Sequence, residues 1–227
     1  NAQLGLGDMA ILDDRTPLHL SATIEGVPSN SYEVHARLEG GEDHLAFDGS
    51  VVAGDFSRIT GNGSIAVSLS EPTVLAEIAG AGGLYMPALA GTAHLSFSGI
   101  DSMKLTEIDA GGATGALQMT RRDGVGSFSG SVKLASLDAM AFLPVLTGPS
   151  GTVAGSGVWP EGPIDIGSGP RSSTGRIDVE VADVTAGGRA LLSDVKFGLD
   201  WDAQGIGLRD LTGAAEGGTL TLNVRVC

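Results

Sequence analysis

The chain has 227 residues, a formal net charge of −14, 36 Gly, 9 Pro and one Cys, the last residue. Its length suits one large or two modest domains. The charge excludes a nucleic-acid binder, which needs clustered Lys and Arg, and a single Cys excludes an intrachain disulfide framework.

Taken in chain order, short runs that alternate between apolar and polar residues predict strands at 18–24, 32–38, 44–52, 64–69, 93–98, 103–108, 115–120 and 125–134. Turn chemistry separates them at Val27-Pro28-Ser29-Asn30, Gly61-Asn62-Gly63 and Asp109-Ala110-Gly111-Gly112. Connections this short favour antiparallel neighbours, so an all-β meander is predicted. Two short helices interrupt it. The first, 73–79, follows the capping sequence Ser70-Glu71-Pro72, and the second, 136–143, ends before Pro144. A Gly-punctuated strand precedes each helix, which makes a weak internal repeat. The apolar stretch 137–146 contains Asp138 and Pro144 and is too short to span a bilayer.

Three segments follow: a Gly-punctuated β segment with the two helices at 1–146, a Gly/Pro/Ser-rich linker or edge loop at 147–174, and a second β segment at 175–227. In the last, Ile177, Val179 and Val181 alternate with Arg176, Asp178 and Glu180. Val195, Phe197, Leu199 and Trp201 alternate with Lys196, Gly198 and Asp200, and Leu220, Leu222 and Val224 with Thr221 and Asn223. Each strand therefore has one apolar and one polar face. The chain opens without Met and stops inside this last alternation, and is read as a piece excised from a longer protein.

No catalytic constellation emerges. Gly126-Ser127-Phe128-Ser129-Gly130 matches the pattern of a nucleophile elbow, but a strand follows it and no His occurs after His94. His19, His35, His44 and His94 have no metal-ligand spacing and no Cys beside them. The acids Asp13-Asp14, Glu39, Glu42-Asp43, Asp200 and Asp202 fit no calcium loop. Gly80-Ala81-Gly82-Gly83 lacks the Lys-Ser/Thr of a phosphate loop. The chain is read as a non-enzyme without metal or cofactor.

From residue 136 onward the sequence resembles the C-terminal region of the AsmA family of Gram-negative envelope proteins. The carrying residues are Ser136-Leu137-Asp138-Ala139-Met140-Ala141-Phe142-Leu143, Trp159-Pro160-Glu161-Gly162-Pro163-Ile164-Asp165 and Gly175-Arg176-Ile177-Asp178-Val179-Glu180-Val181. Leu192-Ser193-Asp194-Val195, Leu208-Arg209-Asp210-Leu211-Thr212-Gly213 and Gly217-Gly218-Thr219-Leu220 complete them. About 90 residues are covered, and the Gly/Ser/Pro content at 166–174 departs from the pattern. The resemblance implies an elongated, curved, taco-like antiparallel sheet with a hydrophobic groove. It also implies a periplasmic location, an inner-membrane anchor outside this sequence, and a part in moving phospholipid toward the outer membrane.

The expectation is therefore an all-β groove whose partners are phospholipid acyl chains. Its lining would be Ile177, Val179, Val181, Val195, Phe197, Leu199, Trp201, Ile206, Leu208, Leu220, Leu222 and Val224. The alternative is a structural or adhesive β-repeat scaffold with a closed core and no ligand. If these side chains pack against a sheet or helix, the scaffold is favoured; if they line an open cleft, the groove is.

Overall fold

The computed structural model describes residues 2–9, 18–26, 31–53, 59–70, 72, 88–99, 101–123, 125–147 and 173–226. The protein is all-β and mostly antiparallel, with one short helix among the described residues. Those residues fall into two compact units, one ending at Arg121 and the other running from Arg122 onward.

The first unit contains β1 (Ala2–Met9), β2 (Leu18–Gly26), β3 (Tyr32–Gly40), β4 (Asp43–Ala53), β5 (Ile59–Leu69), β6 (Leu89–Ser98), β7 (Ser102–Ala110) and β8 (Ala113–Arg122). Each strand pairs antiparallel with the next. Strand β1 escaped the sequence reading because Gly5 and Gly7 dilute its alternation. The turn expected at Gly61-Asn62-Gly63 is a correction: these residues lie within β5, paired with Val51, Ser50 and Gly49. Their Gly content serves close approach rather than chain reversal. A Cβ at Gly63 would strike the Phe47 ring, and one at Gly61 the Phe97 ring. By contrast, Gly111 and Gly112 do turn the chain, at φ of 58° and 86°.

In the second unit, β9 (Val125–Asp138) leads into α1 (Ala139–Thr147), and β10 (Ser173–Ala186), β11 (Arg189–Asp202), β12 (Gly205–Ala215) and β13 (Gly218–Val226) follow. β10–β13 pair antiparallel in order, but β9 and β10 are parallel. This departs from a pure meander. A parallel pair needs a crossover of a dozen or more residues, which the stretch between β9 and β10 supplies. The linker expected at 147–174 lies almost wholly outside the described residues, and β9 before it is in register with β10 after it from Gly126↔Ser173 to Asp138↔Thr185.

The helix also differs from expectation. Residues 136–138 continue β9, and Pro144 lies inside α1 instead of ending it. Asp138 Oδ1 accepts from the Met140 amide at 2.8 Å, so the acid caps the helix start. The helix expected at 73–79, the turn at 27–30, the Gly80–Gly83 run and the Trp159–Asp165 motif lie outside the described residues.

Strict alternation breaks at related places in four strands. Leu134-Ala135-Ser136-Leu137, Val181-Ala182-Asp183-Val184, Leu192-Ser193-Asp194-Val195 and Leu208-Arg209-Asp210-Leu211 each set two residues between apolar ones. Val181 pairs with both Leu134 and Val195, and Val184 with both Leu137 and Leu192, so the irregularities of β9, β10 and β11 align. Asp194 and Asp210 take positive φ, 51° and 52°. Such bulges bend a strand and add twist. All eight apolar residues of these segments belong to or pack on one core cluster.

Candidate functional site

Within the second unit, the apolar face of the strands is roofed by α1. Phe142 meets Phe197 with ring centroids 6.0 Å apart. One turn on, Leu146 is buried with Trp201 and Ile206. Met140 and Leu143, on the other side of the helix, are exposed. Trp201 lies over Gly175, tilts against Phe128 at 5.9 Å and donates from Nε1 to the buried Ser173 Oγ at 3.1 Å.

This roof decides where most of the expected lining residues sit. Val179, Val181, Val195, Phe197, Trp201 and Ile206 are buried, Val195 at 1% and Ile206 at 0% exposure. Ile177, Leu199 and Leu208 are partly buried against the same clusters. They form a closed core under a helix, not an open wall. Only β13 escapes: Leu220 and Leu222 are exposed and Val224 is half-buried. Sequence could not separate these cases, because a roofed and an unroofed strand alternate alike.

The open apolar surface is in the first unit. Ile24, Val34, Gly49, Gly63, Leu95, Leu105 and Leu117 form one continuous cross-strand row from β2 to β8. Beside it, Gly26, Tyr32, Val51, Gly61, Phe97, Met103 and Met119 form another. Shorter rows join Leu20, Leu38, Leu45 and Val67, and Ala22, Ala36, Phe47, Ile65 and Ala93. The opposite face has Thr23, His35, Asp48, Ser64, His94 and Thr106 in one row, and Glu25, Glu33, Ser50, Asn62, Ser96, Lys104 and Gln118 in another.

The apolar rows are mostly half-buried; of the buried apolar side chains among the described residues, only Met119 and Pro72 belong to this unit. Phe47 and Phe97 lie edge to face, 6.3 Å apart at 63°, above the Gly49, Gly61 and Gly63 backbone. Covering strand glycines with rings restores the packing that a missing side chain forfeits. A half-exposed Leu leaves roughly 1 kcal/mol of its burial energy unrealised, so a cover on this face would be stabilising.

The described polar groups form surface pairs and ladders. His35 Nδ1 and Asp48 Oδ1 are 2.6 Å apart, both exposed. Among the described residues, no three His, Cys, Asp or Glu gather as a metal site. Gly126-Ser127-Phe128-Ser129-Gly130 lies extended within β9, paired with β10, and makes no elbow. Glu180 bridges Lys133 at 3.1 Å and Lys196 at 3.6 Å, and the Lys133 hydrogen bond holds its carboxyl below the usual range. Asp202 is also held low, first by the Gln204 amide and then by Arg225. These are solvated ladders on a polar sheet face.

Fold and site together define an amphipathic β-sheet protein with one roofed core and one half-exposed apolar face. Compared with known proteins, the chain matches no family model, no curated protein and no solved structure. No helix among the described residues is long and apolar enough to cross a membrane, which does not bear on strands.

Proposed function

We propose that this chain shields phospholipid acyl chains on the apolar face of its first unit. In this reading it is a periplasmic part of an AsmA-like protein anchored in the inner membrane, and serves lipid movement toward the outer membrane. One observation carries the proposal: unbroken apolar rows cross from β2 to β8 with their side chains only half covered. The resemblance from residue 136 onward supports the same reading.

The energetics are adequate. Each buried CH₂ is worth about 0.8 kcal/mol, so a sixteen-carbon tail gains roughly 12 kcal/mol on leaving water. Walls of Leu, Val, Ile and Gly offer few hydrogen-bonding groups, which favours sliding over pinning. The acidic composition keeps the scaffold soluble with such a face exposed.

A scaffold without ligand is the second reading, and the sealed core beneath α1 favours it for the second unit. Photo-crosslinkers at Leu38, Leu117 and Val195, followed by lipid mass spectrometry of the purified protein, separate the two. Acyl-chain adducts at Leu38 and Leu117 but not at Val195 are expected. A folded protein with no adduct at any position and no co-purifying lipid would leave the scaffold.

A further inference from the structure

Resting on that reading, we propose that Arg121 receives the phosphate of an anionic phospholipid whose tail lies on the apolar face of the first unit. Strand β8 sets Ala113, Gly115, Leu117 and Met119 on that face, and alternation places Arg121 next in the series. The ladder continues to this point, since the Arg121 amide donates to the Asp101 carbonyl at 2.7 Å. Arg121 Nε is removed from solvent, so the side chain lies close against the protein. The other described Lys and Arg of the unit, Arg37 and Lys104, lie on the opposite face.

Position and chemistry agree. A tail leaving Arg121 would pass the buried Met119 and meet its half-buried row neighbours Met103 and Phe97. From β2 to β8 the face spans about 29 Å along the sheet, at about 4.8 Å per strand. One leaflet's tails occupy roughly 15 Å, half a bilayer core. A guanidinium grips phosphate through two parallel N–H donors and has five in all. Asp101, across the ladder from Arg121, opposes an anion and would tune the affinity.

The test compares dioleoyl phosphatidate with dioleoylglycerol, which has the same tails and no phosphate, by the amount retained on the purified chain. Wild type should retain phosphatidate about tenfold better, the scale of one charge-assisted contact. Arg121→Gln should abolish that preference with dioleoylglycerol retention unchanged, while Arg121→Lys keeps part of it. Asp101→Asn should raise phosphatidate retention. Inorganic phosphate at equal concentration should not displace the lipid. An undiminished preference in folded Arg121→Gln, or displacement by inorganic phosphate, overturns the assignment. Loss of both lipids from wild type would instead overturn the acyl-chain reading beneath it. Leu95→Asn, expected to reduce both lipids equally, separates the tail contact from the headgroup contact.

Discussion

The Trp201 indole lies flat over Gly175 while its Nε1 donates to Ser173 Oγ at 3.1 Å, joining the start of β10 to the end of β11. A Cβ at position 175 would occupy the ring's place. Gly175→Ala should therefore destabilise the protein by about 1–3 kcal/mol through overpacking. Ser173→Ala should cost about 1–3 kcal/mol by orphaning a buried donor. Urea unfolding followed by Trp201 fluorescence, in a Trp159→Phe background, measures both. Unchanged midpoints would show that the contact is slack.

Roofed and open faces should respond differently to truncation. Phe142→Ala and Leu146→Ala remove the helix side chains that seal the second core, at about 3 kcal/mol each. Leu95→Ala, in the half-buried row of the first unit, should cost roughly 1 kcal/mol or less. Equal losses in chemical denaturation would mean that the first unit's face is covered as tightly as the second's.

The bulge at Asp210 has a testable backbone requirement. At a φ of 52° a β-branched residue is strained, so Asp210→Val should cost about 1–3 kcal/mol. Asp210→Gly should stay within about 1 kcal/mol of wild type. The Asp210 amide, which donates to Asn223 Oδ1 at 2.7 Å, survives in both variants and cancels from the comparison. Parallel urea titrations give the answer; a Val variant as stable as the Gly variant would contradict it.

Acid should loosen the β4–β5 edge. The Ser70 amide donates to Asp43 Oδ1 at 2.7 Å and holds the carboxyl below its ordinary 3.8. A depressed folded value means that the carboxylate contributes stability in full above 3.8 and loses it as pH falls through the lower folded value. Asp43→Asn should be less stable than wild type near neutrality and converge with it in acid. A gap that stays constant with pH would assign the effect to something other than the charge.

Much of the fold was legible because period-2 alternation reports a strand with one dry face, whatever covers it. Hence β2–β11 and β13 were foreseen in type if not in extent, along with the turn at Gly111-Gly112. Gly61-Asn62-Gly63 misled because Gly marks either a reversal or a surface for a ring, and the rings of Phe47 and Phe97 come from other strands. Pro144 misled because a helix packed through Phe142 and Leu146 tolerates one lost backbone hydrogen bond.

Apolar strand faces were legible in the sequence; which of them is left uncovered was not. Residues alone determined that the strands carry aliphatic faces and that the composition is acidic. Tertiary structure decided which apolar face is open. The crossover from β9 through α1 lays a helix on Val179, Val195, Phe197 and Trp201, while Leu95, Leu105 and Leu117 stay half-exposed. Alternation is a local property of one strand, whereas cover is supplied by whichever element the topology brings over it.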